Sequence, residues 1–289
     1  MAVLFDKQNP FLHTALIEGV IFDNDGTLYH EPENAPEYHT QAAVSAVKTQ
    51  LSYRSIQEIE YLMGQSRKQY GGALDIFEHE YGLDMLRLRR DHYHNLVELT
   101  RETTYFEGAD TPERGLSTLK SAGVNLYIAT HGNEEWTDYS LESNRLSHLF
   151  SAAHDNVIHK DDVPGHHGKN QSPAMYAALL DKIGVPDTEL PWERGVNYAM
   201  VEDTVANLKQ AKALGMMTVL IDESGKVDPA TLPDYVDIVI RDRNDIASVI
   251  LVNNYLHHEE DLLQEHGPNW SLGGEEGLLP AHLSGHHKD

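Results

Sequence analysis

The chain has no cysteine among its 289 residues. This absence excludes disulfide bonds, thiolate nucleophiles and zinc sites with cysteine ligands, and it fits a reducing compartment. Basic residues are also scarce, with 22 Lys and Arg against 46 Asp and Glu, which gives a formal net charge of −24. Such a charge argues against general binding of nucleic acid or anionic membranes. A site for a small anion would therefore need locally placed cations.

Long hydrophobic runs are missing as well. No segment approaches the ~20 apolar residues that a membrane span needs. The first residues, MAVLFDKQNPFLHTALIEG, lack the basic start, continuous apolar stretch and cleavage site of a signal peptide. We therefore expect a cytoplasmic protein that acts on a small molecule, without nucleic acid or membrane partners. The sequence leaves the oligomeric state open.

Short apolar segments of strand length alternate with segments of helical periodicity. Two of the latter, 111–123 and 204–216, carry apolar residues at three and four spacing and close on a glycine. Nearly continuous apolar strands that alternate with helices are typical of a parallel sheet covered on both faces. The predicted fold class is therefore α/β, with a doubly wound, Rossmann-like parallel sheet. The predicted strands span 17–22, 124–130, 196–201, 217–221 and 236–240.

Residues 31–107 interrupt this alternation. They contain no convincing strand, and three of their segments, at 35–51, 55–70 and 84–99, have the periodicity of amphipathic helices. An insertion of about 75 residues is too long for a loop. We therefore predict a helical cap domain over the strand ends.

The domain boundaries follow from this interruption. Residues 1–30 and 108–252 form the predicted α/β core domain, and residues 31–107 form the cap. The last segment, 253–289, is acidic and rich in glycine and histidine, so we predict a disordered tail. Its histidines are an alternative metal site, although nothing in the sequence fixes their spacing.

Polar residues follow three of the predicted strands directly. Asp23 and Asp25 end the segment IEGVIFDND, Thr130 ends YIAT, and Glu202 and Asp203 end AMVED. In doubly wound sheets, ligands bind at the carboxyl ends of the strands. We therefore expect these side chains to meet at one edge of the sheet.

The residue types favour phosphoryl transfer. Clustered carboxylates repel one another unless a cation joins them, and oxygen ligands suit Mg²⁺. A carboxylate such as Asp23 can attack a phosphoryl group, and a neighbouring acid such as Asp25 can move the proton that the leaving oxygen needs. Thr130, together with Lys169 in HHGKNQSP, would stabilise charge on the transferred phosphoryl group.

Four segments resemble the signatures of the haloacid dehalogenase-like (HAD) hydrolases, in order and at suitable spacing. They are DNDGTLY, Thr130 after an apolar strand, Lys169 ahead of SPAMY, and VEDTVANLKQAKALGMMTVLID. The resemblance covers roughly residues 15–245. Within that superfamily, DGTLY, the cap segment KQYG and EDTVANLKQAKALGM look most like the pyrimidine 5′-nucleotidase branch.

The resemblance implies roles for the acids. Asp23 would be the nucleophile, and Asp25 would be the general acid and base. The side chains of Asp23 and Asp203 and the backbone carbonyl of Asp25 would bind Mg²⁺, with Glu202 supporting the metal through water.

The resemblance also implies the contacts to the substrate. Thr130 and Lys169 would hold the phosphate, and His131 stands where the family's second motif often has Asn. Lys68 and Tyr70 lie in the part of the cap that would cover the mouth of the site, where exposed helix residues are the alternative interpretation.

The third motif departs from the usual pattern. One extra residue separates Lys169 from Pro173, so Lys160 is the alternative lysine of the phosphate site.

These implications predict a Mg²⁺-dependent phosphatase that hydrolyses a small phosphate monoester through an aspartyl phosphate. The leading substrate is a nucleoside 5′-monophosphate, and phosphoglycolate or a sugar phosphate is the alternative. A non-catalytic binding protein with the HAD fold would usually have lost the nucleophile or a metal ligand, and this chain retains both. A dehalogenase is disfavoured, since that chemistry needs neither Asp25 nor the acidic pair at 202 and 203.

Overall fold

A seven-stranded sheet forms the centre of the molecule. The computed structural model describes residues 2–6, 13–70, 72–108, 111–150, 155–166 and 168–266. All strand pairs are parallel, in the order β1-β7-β6-β5-β2-β3-β4. The predicted α/β fold class is confirmed. The strands are β1 (Val3–Leu4), β2 (Gly19–Phe22), β3 (Asn125–Thr130), β4 (Val157–His159), β5 (Tyr198–Glu202), β6 (Met217–Ile221) and β7 (Ile238–Ile240).

Helices connect the strands and cover both faces of the sheet. Each of the five predicted strands corresponds to a strand of the structure, whereas β1 and β4 were not predicted. These two strands have two and three residues, too few for a periodic pattern. The α-helices are α1 (Ala35–Gln50), α2 (Ile56–Gln69), α3 (Asp75–His79), α4 (Met85–Thr100), α5 (Glu113–Ser121), α6 (Glu134–Ser143), α7 (Ala174–Lys182), α8 (Val205–Ala213) and α9 (Asp245–His266).

The central strand β2 contributes to two hydrophobic cores. Successive side chains of a strand point to opposite faces. Val20 and Phe22 therefore pack into the core that contains residues of α5, α6 and α9, whereas Ile21 packs into the core under α7 and α8. Burial on both faces explains why the sequence of β2 is a continuous apolar run.

The helical insert lies between β2 and β3 and comprises α1 to α4, with its own small core. The three predicted helices correspond to α1, α2 and α4, and the five-residue α3 was not predicted. Local capping explains two helix starts. Ser55 and Glu58 form a capping box before α2, and the Asp84 side chain accepts a hydrogen bond from Arg87 N before α4.

The predicted start of the disordered tail at residue 253 is wrong. Helix α9 continues to His266, and its middle is fixed to the segment before β2. Asn253 Oδ1 accepts a hydrogen bond from His13 N at 2.8 Å, and Asn254 Oδ1 accepts one from Ile17 N at 2.8 Å. These amide contacts extend the helix beyond the point where its composition becomes polar. The remainder of the predicted tail, 267–289, lies outside the described residues.

None of the described helices combines the length and hydropathy that a membrane crossing requires. The cytoplasmic location remains a prediction.

Candidate active site

Three adjacent strands bring the predicted acids and Thr130 to one edge of the sheet. In the parallel register, Phe22 of β2 is paired with Ile128 of β3 and with Val201 of β5. Asp23 follows Phe22, and its N–H donates to Val201 O at 3.0 Å. The ends of β2, β3 and β5 therefore deliver Asp23, Thr130 and Glu202 to the same level. We call this the catalytic edge.

A buried lysine joins two of the carboxylates. Lys169 Nζ lies 2.6 Å from Asp23 Oδ1 and 2.6 Å from Glu202 Oε1, and the Lys169 side chain is fully buried. The structure thus places Lys169, rather than Lys160, against Asp23. Burial opposes the charged ammonium, but the charges of Asp23 and Glu202 outweigh burial and raise the pKa of Lys169. The lysine is therefore held as a cation.

Glu202 is committed to protein contacts. Its Oε1 accepts hydrogen bonds from Lys169 Nζ and from Asn207 Nδ2, each at 2.6 Å, and its Oε2 accepts one from Thr204 N at 2.8 Å. Burial alone would raise the pKa of Glu202, but the charge of Lys169 and the hydrogen bonds from Lys169 and Thr204 N lower it. Glu202 therefore orients Lys169 and the start of α8.

The cluster holds more negative charge than one lysine neutralises. Burial, followed by the charge of Glu202, holds the pKa of Asp23 well above its usual range. The Asp203 residue is exposed as a whole, but its carboxyl group faces the cluster. Desolvation and the Glu202 charge raise the pKa of Asp203 to about 7.

This excess charge fits a divalent cation. One ligand oxygen from each of Asp23, Glu202 and Asp203 lies within 4.8 Å of the others. Oxygen ligands of this kind suit Mg²⁺. Gly26 allows the approach of Asp203, because its φ is +72° and a Cβ added there would lie 2.4 Å from Asp203 Oδ2.

Asp25 is held by donors that the sequence did not reveal. Its Oδ1 accepts a hydrogen bond from Trp136 Nε1 at 2.7 Å, a short one from the Tyr29 hydroxyl, and one from Asn24 Nδ2 at 3.1 Å. Burial, followed by the charge of Glu31, raises the pKa of Asp25, whereas Tyr29 and Trp136 act in the opposite direction. A carboxyl group with a raised pKa can serve as a general acid near neutral pH.

Thr130 and His131 connect the catalytic edge to its surroundings. Thr130 is fully buried, and its Oγ1 accepts a hydrogen bond from Gly132 N at 2.9 Å. His131 Nε2 accepts one from Lys169 N at 2.9 Å. Burial, followed by the charges of Lys169, Lys160 and Arg89, lowers the pKa of His131 well below its usual range. His131 is therefore a neutral ring that positions the Lys169 loop.

Two adjoining cavities lie between the insert and the core, and we call them together the cap cavity. Their volumes are about 290 and 230 Å³. His131 lines the first and Tyr70 the second, whereas Lys68 is exposed on α2 and lines neither. Both substrate-binding roles in the cap remain predictions.

The insert is joined to the core directly beside the catalytic edge. Arg89 of α4 donates from Nη2 to His131 O at 2.7 Å and from Nε to Asp161 Oδ1 at 2.6 Å. The Tyr93 hydroxyl also donates to His131 O, at 3.0 Å. Sequence reasoning missed both residues, as well as Trp136. The contact of Tyr29 with Asp25 could have been predicted, because Tyr29 lies four residues after Asp25 in the motif DNDGTLY.

Comparison with known proteins identifies the family. A family model described as haloacid dehalogenase-like hydrolase matches residues 17–215. The chain therefore belongs to the HAD-like hydrolases, and the predicted enzyme class is confirmed. The search of curated proteins gives no significant match.

Solved structures support the same fold at low sequence identity. CbbY from Rhodobacter sphaeroides in complex with phosphate is 19% identical with a TM-score of 0.53, and the match covers 80% of this chain and 96% of that chain. A CbbY variant in complex with xylulose-(1,5)bisphosphate matches with the same values. A HAD phosphatase from Thermococcus onnurineus is 21% identical with a TM-score of 0.50, over 81% of this chain and 98% of that chain. None of these three is described as a pyrimidine nucleotidase.

Proposed function

We propose that this chain is a Mg²⁺-dependent phosphatase that transfers the phosphoryl group of a small phosphate monoester to Asp23 and then to water. The observation that carries the proposal is the buried Lys169, which contacts both Asp23 and Glu202 at 2.6 Å beside a third carboxylate, Asp203. A fixed cation next to a carboxylate nucleophile is the arrangement that stabilises charge on a transferring phosphoryl group.

Two half-reactions account for hydrolysis. In the first, a carboxylate oxygen of Asp23 bonds to phosphorus while the ester P–O bond breaks, and Asp25 gives its proton to the leaving oxygen. In the second, water attacks the phosphorus of the aspartyl phosphate, its proton passes to Asp25, and the bond to Asp23 breaks to release phosphate. Lys169 and Thr130 bind the phosphoryl oxygens in both steps.

Asp23, Asp203 and the backbone carbonyl of Asp25 would hold Mg²⁺, with Glu202 behind them. When bound, the ion would neutralise charge on the phosphoryl oxygens and on the clustered carboxylates.

The proposed substrate is a sugar phosphate or a similarly polar phosphate ester. The lining of the cap cavity is mostly apolar, and its cations Arg89 and Lys160 can bind hydroxyl and anionic groups of a ligand. The CbbY structure that contains xylulose-(1,5)bisphosphate has the same fold. A nucleoside 5′-monophosphate is the second candidate. It is supported by the resemblance of DGTLY, the cap segment KQYG and EDTVANLKQAKALGM to the pyrimidine 5′-nucleotidase branch.

The test is phosphate release from a panel of sugar phosphates, phosphoglycolate and nucleoside monophosphates, with Mg²⁺ and with EDTA. We expect release that requires Mg²⁺ and is lost in Asp23→Asn. Asp234→Asn removes an exposed carboxylate elsewhere and serves as the matched control, with activity like the wild type. No release from any ester by a folded wild type would contradict the proposal and favour a non-catalytic binding protein.

A further inference from the structure

Lys160 borders both parts of the cap cavity. It follows β4 directly and is half-buried. Within the described part of the chain, its ammonium makes no hydrogen bond or ion pair. A half-buried ammonium normally has a partner, because loss of hydration is otherwise uncompensated. In a chain with a net charge of −24, an unpaired cation of this kind is conspicuous.

Arg89 lies beside Lys160 and has donors to spare. Both residues line both parts of the cap cavity, and the charge of Arg89 adds to burial in lowering the pKa of Lys160. Arg89 uses its Nε–H for Asp161 and one Nη2–H for His131 O. A guanidinium has five N–H donors, so three remain for a ligand.

Acidic residues near Lys160 only partly offset this charge. Asp161 is paired with Arg89 at 2.6 Å. Asp75 borders both parts of the cavity and Glu78 borders the second. The charges of both, with that of Asp161, act to raise the pKa of Lys160, but burial and Arg89 outweigh them. The Asp75 carboxylate faces the loop of the insert, since a Cβ on Gly72 would lie 2.4 Å from Asp75 Oδ2.

His131 links the cation pair to the catalytic edge. His131 borders the cavity, carries the carbonyl that Arg89 binds, and accepts a hydrogen bond from Lys169 N. The charges of Lys169, Lys160 and Arg89 all act on the His131 ring. The phosphoryl site and the cation pair are therefore on either side of one residue.

We propose that Lys160 and Arg89 bind a second anionic group of the substrate, so that the enzyme prefers phosphate esters that carry another phosphate or a carboxylate. This inference rests on the proposed function for the position of the reacting phosphate. It assigns Lys160 to substrate selection and Lys169 to the reacting group.

The first experiment measures binding without turnover. Equilibrium dissociation constants are measured for the full chain carrying Asp23→Asn, with two matched pairs of ligands: fructose 6-phosphate against fructose 1,6-bisphosphate, and glycerol 3-phosphate against 3-phosphoglycerate. We expect the member with two anionic groups to bind roughly 10-fold tighter in at least one pair, since hydrogen bonds to charged groups are the strong ones. The pair that shows the preference tells whether the second group is a phosphate or a carboxylate.

The second experiment assigns the preference to Lys160. Adding Lys160→Gln should abolish the preference, and Lys160→Arg should retain most of it. Lys226→Gln removes an exposed lysine outside the cavity and is the control that should retain all of it. In the active enzyme, Lys160→Gln should raise KM more for esters that carry a second anionic group than for esters that carry the reacting phosphate alone.

The outcomes separate the two proposals. Equal affinities within both pairs, or a preference that survives Lys160→Gln, would overturn the second anion site even if the enzyme hydrolyses monophosphates. A Lys160-dependent preference in a protein that hydrolyses no ester would support the second anion site and contradict the phosphatase.

Discussion

Lys169 Nζ lies 2.6 Å from Asp23 Oδ1, and the lysine side chain is fully buried. The same nitrogen contacts Glu202, so one cation is shared by two buried carboxylates. Removing one partner of a buried ion pair leaves an uncompensated charge. The pair therefore links the stability of the fold to the chemistry of the site.

Lys169→Met is expected to lower the free energy of unfolding by about 3 kcal/mol, because two buried carboxylates then lose their cation. Chemical denaturation at pH 7 measures this loss. The double variant Lys169→Met with Glu202→Gln should recover part of the stability, since one of the two charges is gone, but no phosphatase activity. Equal stability of wild type and Lys169→Met would contradict the buried pair.

The position of the acids was predictable, whereas their partners were not. Asp23 and Glu202 directly follow predicted apolar strands. The residues at the carboxyl ends of parallel strands lie at one edge of the sheet, regardless of how the other segments pack. Lys169 arrives from a loop after β4, a strand too short to be recognised, so the strand pattern could not show that it contacts Asp23 and Glu202. Trp136 and Arg89 stand on helices whose spacing resembles that of any packed helix. The contact of Trp136 with Asp25 depends on how α6 packs beside the end of β2, and that of Arg89 with His131 depends on how the insert meets the core.

Trp136→Phe tests the position of Asp25. The substitution removes the 2.7 Å hydrogen bond from Trp136 Nε1 to Asp25 Oδ1. We expect kcat to fall about 10-fold, since a positioned proton donor contributes on the order of 10² or more. The pKa of Asp25 should rise, because Trp136 favours its charged form, and the limb of the pH–rate profile that reports Asp25 should move to higher pH.

Trp192→Phe is the control for this prediction, because Trp192 is exposed. Its kinetics and pH profile should match the wild type. An unchanged pH profile for Trp136→Phe would show that the indole does not act on Asp25.

Gly26→Ala tests the approach of Asp203. Alanine at this position is strained by the φ of +72°, and its Cβ would displace Asp203 Oδ2. Gly82→Ala is the matched control, because its φ is +66° with nothing within 4 Å of the added Cβ. Both variants should lose about 1 kcal/mol of stability, but only Gly26→Ala should weaken Mg²⁺ binding, measured by titration calorimetry. Equal Mg²⁺ affinity in the two variants would argue against a metal ligand at Asp203.

His92→Phe tests a half-buried imidazole in the wall of the cap cavity, whose Nε2 is shielded from solvent. Burial, followed by the charges of His39 and Arg89, lowers the pKa of His92 from 6.5 to about 3, and its Nε2 has no hydrogen-bond partner. Between about pH 6.5 and about pH 3, the His92 imidazole is protonated in the unfolded chain but not in the folded protein. The free energy of unfolding therefore decreases as the pH falls through this range. Phenylalanine removes this loss. The stability of His92→Phe relative to wild type should be about 1 to 2 kcal/mol greater at pH 5 than at pH 7, measured by denaturant unfolding. His94→Gln, which replaces an exposed imidazole on the same helix, is the control, and an equal pH effect in both variants would contradict the assignment to His92.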